Sequence, residues 1–347
     1  MKIPPAGTKP PARAVIPLLL FFVFTSCRTF SPVRETGITP AGFGTIDAVV
    51  PQWTPYAEEY GGGLALFAGK LGKPPLEFWA LRVDLNEPGL SVVVSGPEPV
   101  DGVFRENHIP ASSVSSFVER YNCIAGINTN PFSPVSAKPG EDRFIDGITV
   151  SNGILVARPN PRFDALVFYT DDGAEETAAA GSVPSPRRKA AILSQAELTA
   201  EFQRTAGSSA IENAAGGFQI VLWEGAPVRR VLDQAANGKA PRHPRSAAGL
   251  SAGGNTLYLL AVDGRRPASA GVTEAELALL LKRLGAYNGL NFDGGGSTAL
   301  VLRSLRPDGG NPYGKAMPVN IPIHKQIPGW ERAVASCLGI RTGGKTE

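Results

Sequence analysis

Apolar and polar residues alternate in short runs over much of the chain, and this period of two predicts a fold built mainly from strands. Residues 79–85 place four apolar side chains on one face. The Asn-Glu-Pro-Gly turn after them leads into a second apolar run at 90–94, so the two runs predict a hairpin. A further run at 124–127 predicts a buried strand that delivers Asn128.

Two segments of moderate length favour helices instead. Residues 111–121 predict a short helix whose cap is Ser112 or Ser113, because a hydroxyl at that position accepts a hydrogen bond from a free N–H of the first turn. Residues 196–205 predict a helix on the surface.

The helix with the clearest signals begins after Thr273. Thr273 and Glu276 have the spacing of a capping box, in which each side chain satisfies a free N–H at the helix start. Four leucines then recur at i, i+3, i+4 and i+7, which forms one buried face, and Gly285 ends the helix. Because the next apolar run stops at Asp293, we expect this helix to fix the position of that residue.

Together these elements predict an α+β fold. A single domain, residues 61–342, is expected to contain mixed or antiparallel sheets and a few flanking helices. The strands alternate too regularly for an all-parallel sheet, whose strands are buried on both faces. Residues 171–189, which hold acids, alanines, two prolines and a basic triplet, predict a loop or an insertion.

The N-terminus has the pattern of a targeting segment. Three basic residues precede an apolar run at 14–24, which is short for a bilayer span of about 20 apolar residues. Residues 1–26 therefore predict a secretory signal. Cys27 directly follows small residues, as in bacterial lipoprotein signals. We expect an exported envelope protein anchored to the membrane by lipid on Cys27; the alternative is an ordinary signal peptide with an incidental cysteine.

The segment after the signal, residues 27–60, is rich in Pro, Gly and Thr. This composition predicts a tether between the lipid and the domain. The alternative is that part of the segment packs on the domain as an irregular arm, which Trp53 and Tyr56 favour.

Removal of the signal changes the charge balance. Residues 1–26 hold three of the 34 Lys and Arg residues and no acid, so the remaining chain has 31 basic and 31 acidic residues. Because no basic face remains, we expect neither a nucleic-acid partner nor attraction to anionic lipid. Cys123 and Cys337 lie in predicted strands, where a disulfide and two buried thiols fit equally well, and their spacing fits no zinc pattern.

The stretch NFDGGGST holds the strongest chemical signal. Asp293 stands where an apolar run ends, and Gly294, Gly295 and Gly296 follow it. Glycines lack a Cβ, so their backbone N–H groups are able to turn toward a ligand, and Ser297 adds a hydroxyl before a predicted strand. An acid followed by such N–H groups suits an anionic or sugar ligand. The alternative is a glycine-rich hairpin with a solvated aspartate.

A series of blocks that includes this stretch resembles the phosphodiester glycosidase family, which removes a sugar from a sugar-phosphate diester. In chain order the blocks are GINTNPF, IDGITVSNG, AGGFQIVLWEG, RHPRSAAGL, LAVDGRR, NFDGGGST, PVNIP and WERAVASCLGI. The resemblance as a whole covers roughly residues 75–341. The resemblance implies a hydrolase whose substrate is a carbohydrate phosphodiester of an envelope glycan or glycoconjugate.

Cleavage of such a diester requires a group that holds the phosphate and groups that move protons at the anomeric carbon. Arg245 is the first candidate for the phosphate, since a planar guanidinium matches two oxygens, and the neighbouring His243 is expected to protonate the leaving group or bind phosphate. Asp263, like Asp293, ends an apolar run before a glycine. We expect these two carboxyls to face one cleft as an acid/base pair; the alternative is ordinary Asp-Gly turn chemistry.

The last block implies further roles. Glu331 and Arg332 are expected to contact the substrate or to form an ion pair with each other. Asn128, and less strongly Asn320, is expected to donate hydrogen bonds to sugar hydroxyls at a strand end. Trp330 either stacks on a sugar ring or fills the core.

Several alternatives stay open at this point. We expect no cofactor, although the oxygens of Asn128, Asp263 and Asp293 would suit Ca²⁺ or Mg²⁺. After Asn128 the chain has Thr-Asn-Pro-Phe where the family usually has glycines. A non-catalytic, carbohydrate- or phosphate-binding envelope lipoprotein on the same fold is therefore the alternative function. The separation of the two carboxyls, and with it retaining or inverting chemistry, is not set by the sequence.

Overall fold

A computed structural model describes residues 46–57, 62–99, 101–135, 138–169, 189–204, 211–304 and 314–343. The predicted signal, Cys27 and most of the predicted loop at 171–189 lie outside these residues. The helices of the described part are α1 (Val114–Arg120), α2 (Gln195–Arg204), α3 (Arg229–Ala236) and α4 (Glu274–Leu284). None of them is both long enough and apolar enough to cross a membrane.

The strands of the described part, in chain order, are β1 (Thr54–Tyr56), β2 (Leu64–Gly72), β3 (Pro75–Asp84), β4 (Leu90–Val94), β5 (His108–Pro110), β6 (Ala125–Asn128), β7 (Phe132–Ser133), β8 (Asp142–Ile145), β9 (Thr149–Ser151), β10 (Ile154–Ala157), β11 (Ala165–Tyr169), β12 (Lys189–Leu193), β13 (Ile211–Gly216), β14 (Gln219–Trp223), β15 (Ala226–Pro227), β16 (Arg245–Leu250), β17 (Thr256–Val262), β18 (Asn288–Asn291), β19 (Leu300–Arg303), β20 (Ala316–Pro318), β21 (Ile323–His324), β22 (Ile327–Pro328) and β23 (Cys337–Thr342).

These strands form one large sheet and several smaller ones. The central sheet has eight strands in the order β1-β2-β3-β17-β16-β18-β14-β15, and two five-stranded sheets have the orders β20-β19-β6-β23-β4 and β10-β9-β13-β11-β12. A three-stranded sheet, β5-β8-β7, and the β21-β22 hairpin complete the set. The ladders between these strands are antiparallel. The predicted α+β class with antiparallel sheets is confirmed.

The main core joins the two ends of the described chain, and two smaller buried clusters adjoin it. One cluster of buried apolar side chains includes Ile46 near the start, Leu260 in β17 and Ile340 in β23. This continuity supports the expected single domain. Cys123 and Cys337 are both buried free thiols, so of the two predicted alternatives the structure has no disulfide between them.

Helix α4 forms as predicted and fixes the strand that precedes Asp293. Thr273 and Glu276 complete the capping box, and Gly285 takes the left-handed conformation (φ 110°) that ends the helix. The four leucines are buried against the central sheet. A Cβ on Gly289 of β18 would lie 2.7 Å from Leu281 Cδ1, so the missing side chain lets helix and strand approach closely.

The two weaker helix predictions are confirmed with shifted boundaries. Helix α1 is shorter than the predicted 111–121, and Ser113 is its cap, since the Ser113 side chain accepts a hydrogen bond from Ser116 N. Helix α2 begins one residue before the predicted 196–205 and ends one residue earlier.

The predicted hairpin between residues 79–85 and 90–94 is wrong. Strand β3 pairs with β2 and β17 in the central sheet, whereas β4 pairs with β23 in a different sheet. The turn between them carries the chain from one sheet to another, and β4 finds its partner near the C-terminus. Turn residues between two apolar runs indicate a reversal but do not specify which strands pair.

The described part of the predicted tether packs on the domain, as the alternative proposed. Ile46, Val49 and Ala57 are buried, and β1 extends the central sheet at its edge. The Trp53 ring lies 5.9 Å from Phe67, centroid to centroid. Any tether therefore ends before residue 46, and the packed unit begins earlier than the predicted residue 61.

Candidate active site

The ends of two strands meet at one edge of the central sheet. Strand β16 lies between β17 and β18 and is antiparallel to both, so β17 and β18 end at the same edge. Asp263 directly follows β17, and Asp293 comes two residues after β18. The two Asp-Gly sequences therefore flank the start of β16.

Asn128 holds the loop that carries Asp293. Its Nδ2 donates to the carbonyl oxygen of Asp293 at 2.6 Å, and its Oδ1 accepts from Ser246 Oγ at 2.6 Å and from Ala299 N at 3.2 Å. The residue is 1% exposed. This geometry corrects the expectation that Asn128 binds sugar hydroxyls, because its amide is used within the protein to tie both ends of the loop to β16.

The unusual residues after Asn128 also lie beneath this loop. Thr129 and Asn130 are buried. The carbonyl oxygen of Thr129 accepts a hydrogen bond from Asp293 N at 2.8 Å. Asn130 Oδ1 accepts from Gly216 N at 3.1 Å, which links β13 to the same region. The residues that stand in place of the family's glycines are therefore buried, and they contact the backbone that holds Asp293 instead of forming the exposed surface of the site.

The predicted nest of free N–H groups does not form. Gly294 N donates to Asp293 Oδ1 at 3.0 Å, and Gly295 N donates to the carbonyl oxygen of Pro244 at 2.8 Å. Ser297 N donates to the carbonyl oxygen of Gly294 in a 3₁₀ turn. Most of the loop's N–H groups are therefore occupied within the protein.

The glycines make room for two guanidinium groups instead. A Cβ on Gly295, which has φ +63°, would lie 3.0 Å from Arg265 Nη2, and a Cβ on Gly296 would lie 2.5 Å from Arg332 Nη2. Larger residues at these positions would push both side chains away from the loop. The sequence therefore needs glycine here for close approach of charge rather than for ligand contact by the backbone.

Arg332 is held firmly beside this loop. Its Nη1 donates to Ser297 Oγ at 3.1 Å, and its Nε donates to His324 Nδ1 at 3.1 Å. The Nδ1 atom of His324 must then be unprotonated. Burial and the charge of Arg332 lower the pKa of His324, which keeps the imidazole neutral. Arg332 is thus placed next to Asp293.

The carboxyl of Asp293 has an altered affinity for protons. Burial raises its pKa from 3.8 to about 6, while the Ser297 hydroxyl, the charge of Arg332 and the N–H of Gly294 act in the opposite direction. A carboxyl with a pKa near 6 changes its charge close to neutral pH. This property is typical of groups that transfer protons in catalysis.

Arg265 and His243 are the remaining polar candidates near the site. Arg265 is exposed, and within the described part of the chain its guanidinium has no hydrogen-bond or ion-pair partner. The pKa of His243 is lowered by burial first, then by the charges of Arg245 and Arg265. His243 Nδ1 is buried without a partner among the described residues. The imidazole of His243 thus lies within electrostatic reach of the free guanidinium, and the next residue, Pro244, contacts the Asp293 loop through its carbonyl oxygen.

The structure does not place Arg245 where a phosphate could reach it. Its Nε donates to the carbonyl oxygen of Val272 at 3.1 Å, and its Nη1 lies 3.5 Å from Glu274 Oε1. Arg242 is likewise bound to Glu276 and to the carbonyl oxygen of Gly271. Both arginines belong to the packing of α4 against the sheet, which corrects the first choice made from the sequence.

Asp263 is also occupied within the protein. It is 1% exposed, and its carboxylate accepts hydrogen bonds from Arg266 Nη2 at 2.5 Å, Asn320 Nδ2 at 3.0 Å and Ile321 N at 3.1 Å. Burial raises its pKa, although these partners oppose the shift. The expected pair of carboxyls facing one cleft is not present. Asn320 Oδ1 accepts from Leu300 N at 2.9 Å, so Asp263 and Asn320 position the strand after the glycine loop.

Glu331 has a structural role at the start of helix α1. Its Oε2 accepts from Ser115 N at 3.1 Å, and its Oε1 accepts from Ser115 Oγ at 2.5 Å. A carboxylate at this position accepts a hydrogen bond from a free N–H group of the first turn and interacts favourably with the positive end of the helix dipole. Glu331 therefore neither pairs with its neighbour Arg332 nor faces the site, which corrects both expectations for it.

Replacement of Glu331 by alanine is expected to reduce stability. The loss of the cap should lower the free energy of unfolding by about 1–2 kcal/mol. Thermal unfolding of the variant, compared with the native protein, measures this change. Unchanged stability combined with loss of ligand affinity would contradict the structural role.

The described residues offer no obvious cation site. They contain no group of three or more His, Cys, Asp or Glu side chains arranged around one point. Of the three oxygen ligands considered from the sequence, Asn128 and Asp263 already have protein partners. The residues present therefore do not fit the Ca²⁺ or Mg²⁺ arrangement considered above.

Arg265 and His324 belong to the site but were not predicted from the sequence. Arg265 had a detectable signal, since it follows the Asp-Gly that ends β17 in the block LAVDGRR. His324 had none, because a single histidine in a short strand is ordinary. Trp330, which the sequence placed in the core or on a sugar, is 45% exposed and packs edge-to-face on His324.

The chain is similar to one family of known proteins and to several solved structures. The sequence profile described as phosphodiester glycosidase matches residues 121–341. No curated protein matches the chain. The catalytic domain of zebrafish N-acetylglucosamine-1-phosphodiester alpha-N-acetylglucosaminidase, whose structure was solved in a state auto-inhibited by its pro-peptide, has 17% identity and a TM-score of 0.54 over 89% of this chain and 96% of that one.

A second solved structure, a hypothetical protein from Synechocystis, has 14% identity and a TM-score of 0.50 over 84% of this chain. This chain spans 64% of the length of the Synechocystis protein. At these identities the solved structures show a shared fold. The sequence profile, in contrast, matches well over half of the chain and includes every residue of the site described above. The chain belongs to the phosphodiester glycosidase family.

Proposed function

We propose that this chain is an exported hydrolase that cleaves a glycosyl phosphodiester, the bond between the anomeric carbon of a sugar and a phosphate, in an envelope glycan or glycoconjugate. One observation carries the proposal. The carboxyl of Asp293, with a pKa of about 6, lies beside Arg332 and near Arg265 at one sheet edge. Guanidinium groups bind phosphate oxygens well, and a carboxylate beside them suits reaction at the attached sugar carbon.

The two arginines hold and stabilise the phosphate in this proposal. Hydrolysis breaks the bond between the anomeric carbon and the phosphate oxygen, so negative charge grows on that oxygen. A phosphate monoester has a second pKa of about 6 and departs readily as an anion. Arg332 is already fixed by Ser297 and His324, so it stabilises this charge without rearrangement.

Asp293 serves as the base. Its carboxylate takes one proton from a water molecule as the water oxygen bonds to the anomeric carbon, and the proton is later released to solvent. A base is most effective when its pKa lies near the working pH, and a pKa of about 6 satisfies this condition. In this proposal the neutral imidazole of His243, which feels the charge of Arg265, donates a hydrogen bond to the phosphate held there.

Hydrolysis assays on the purified protein test the proposal. A panel of sugar 1-phosphodiesters, with N-acetylglucosamine included because of the zebrafish relative, should release free sugar. The matching p-nitrophenyl glycosides, which lack the phosphate, should not react at a comparable rate. Tight binding of a diester without turnover would favour the non-catalytic envelope lipoprotein. Absence of both binding and turnover would contradict both functions.

Cys27 is the proposed attachment point to the membrane. Replacement of Cys27 by serine should abolish incorporation of labelled palmitate in a bacterial host and release the protein from the membrane fraction. Because every residue of the proposed site lies within residues 121–341, far from Cys27 in the chain, we expect the hydrolase activity of the variant to remain unchanged. Labelling that persists in the variant would rule out lipidation at this residue.

A further inference from the structure

We propose that His324 is a positioning residue of the reaction: its unprotonated Nδ1 atom fixes the guanidinium of Arg332 for the leaving phosphate, and protonation of His324 releases that guanidinium. This inference rests on the proposed function and adds a control of the same site by pH. Hydrolysis then requires two separate groups, Asp293 and His324, to be free of their protons.

His324 is held rigidly beside the arginine. The residue is 6% exposed. Its backbone N–H donates to the carbonyl oxygen of Trp330 at 3.0 Å, and its ring packs edge-to-face on the Trp330 ring with 5.1 Å between the centroids. Strand β21, which carries His324, is paired with β22 in the hairpin. The imidazole therefore has little freedom to follow a movement of its partner.

Arg332 is fixed by two uncharged acceptors. Its Nε donates to His324 Nδ1 at 3.1 Å and its Nη1 donates to Ser297 Oγ at 3.1 Å, and these are its hydrogen bonds within the described part of the chain. A carboxylate in place of the imidazole would also hold the guanidinium, but it would neutralise the charge that binds a phosphate. The imidazole orients the guanidinium and leaves its positive charge for the substrate.

The hydrogen bond from Arg332 to His324 exists only while Nδ1 carries no proton. A protonated imidazole has an N–H donor at each ring nitrogen. Two donors and two positive charges would then face each other across 3.1 Å, and no acceptor would remain for Arg332 Nε. Arg332 must therefore turn away, and the phosphate loses a donor that was positioned before the reaction.

The charged groups that act on His324 are both cations. Burial lowers the pKa of His324 first, and the charges of Arg332 and Lys325 lower this pKa further. The 3₁₀ turn Gly295–Ser297, which lies against β21, carries no charge, and Asp293 before it is not among the groups that shift the pKa of His324. Because these groups include no carboxylate, nothing stabilises the imidazolium, and the ring is protonated only in acid.

The pH dependence of kcat/KM in two variants tests this role. Asparagine at position 324 offers an amide oxygen close to the place of Nδ1, so it accepts the hydrogen bond from Arg332, but it does not titrate. At pH 8 His324→Asn should keep the native kcat/KM within about threefold, whereas His324→Leu, which has no acceptor, should lose about tenfold. Below both pKa values, log kcat/KM should rise with pH with a slope of about two in the native protein and about one in His324→Asn.

His108→Asn is the matched control. His108 is another histidine with a hydrogen-bonded Nδ1, which lies 2.9 Å from Asp142 Oδ2 in a different sheet. Its replacement should leave both the rate and the slope unchanged. If His324 only packed the hairpin, its asparagine and leucine variants would lose rate alike, and both would keep the native slope. That result would overturn the positioning role.

Nitrogen NMR of the protein labelled with ¹⁵N-histidine observes the ring without any substrate. The signals of His324 are those that disappear in His324→Asn. At pH 8 they should show a neutral ring with its proton on Nε2, the tautomer that leaves Nδ1 free to accept from Arg332. A proton on Nδ1, or a charged ring at this pH, would overturn the inference.

The outcomes also distinguish this inference from the proposed function. Cleavage of a sugar 1-phosphodiester with the same slope in the native protein and in His324→Asn refutes the role of His324 alone. Failure of the native protein to cleave any diester refutes the proposed function, and the inference falls with it. Cleavage with a slope that decreases in His324→Asn supports both.

Discussion

Replacement of Asp293 by asparagine is expected to reduce kcat/KM by about 10³-fold, the scale of losing a positioned general base. Asparagine has nearly the same shape and retains an oxygen able to accept the hydrogen bonds from Gly294 N and Ser297, so the loop should keep its conformation. What disappears is the group that takes a proton from water. Steady-state kinetics on a sugar 1-phosphodiester measure the loss.

The same variant should be more stable than the native protein at high pH. Burial raises the pKa of Asp293 from 3.8 to about 6, so the folded state binds this proton more tightly than the unfolded state does. Binding of this proton stabilises the folded state by up to about 3 kcal/mol. The stabilisation is complete below about pH 4 and is lost as the pH rises through 6. Asp293→Asn should therefore unfold at a higher temperature than the native protein at pH 8, with a smaller difference at pH 4.

Asp164→Asn is the matched control for this experiment. Asp164 is another carboxyl whose pKa is raised by burial, and it accepts hydrogen bonds from Ile220 N and Gln195 N. It lies on different elements from the site, so its replacement should change stability without a comparable loss of kcat/KM. Equal losses of kcat/KM in Asp293→Asn and Asp164→Asn would mean that Asp293 supports activity only by stabilising the fold, and not by accepting a proton.

Replacement of Arg332 by glutamine is expected to lower kcat/KM by about 10²–10³-fold, because a fixed donor to the leaving oxygen is lost. It should also move the pH dependence. In the native protein kcat/KM should rise with pH through about 6, as Asp293 ionises. The charge of Arg332 favours the ionised carboxylate, so its removal should raise the pKa of Asp293 and shift this midpoint upward. A pH–rate profile of each protein measures both effects.

Arg245→Gln provides the comparison for Arg332. The Arg245 guanidinium contacts Val272 and Glu274, and its charge is not among the causes of the Asp293 shift. Its replacement should lower stability and leave the midpoint near 6. A shifted midpoint in Arg245→Gln, with none in Arg332→Gln, would restore the arginine favoured by the sequence and reject the one placed by the structure.

Sequence patterns were sufficient for the elements whose signals are local. The capping box at Thr273 and the leucine spacing specify α4, and the end of an apolar run before glycines specifies the position of Asp293. These features depend on residues a few positions apart. The ends of two apolar runs at Asp263 and Asp293 were also visible in the sequence, and the structure brings both strand ends to one edge of the sheet, although the two carboxyls do not face one cleft.

The partners of each side chain could not be predicted in the same way. Arg245 and Arg265 have similar sequence contexts, since each lies close to a predicted strand. In the structure Arg245 contacts Glu274 of α4, whereas Arg265 lies beside the glycine loop. Likewise Asp263 resembles Asp293 in its neighbours along the chain, yet Asn320 and Arg266 occupy its carboxylate. Such contacts join residues distant in sequence, and local patterns do not specify them.

A crystal structure of Asp293→Asn with an uncleaved sugar 1-phosphodiester tests the central claim most directly. The account predicts phosphate oxygens within hydrogen-bond distance of Arg332 and Arg265, with the anomeric carbon facing the side chain at position 293 and no protein group between them. A diester bound instead beside Asp263 or Arg245, or with its phosphate away from both predicted arginines, would contradict it.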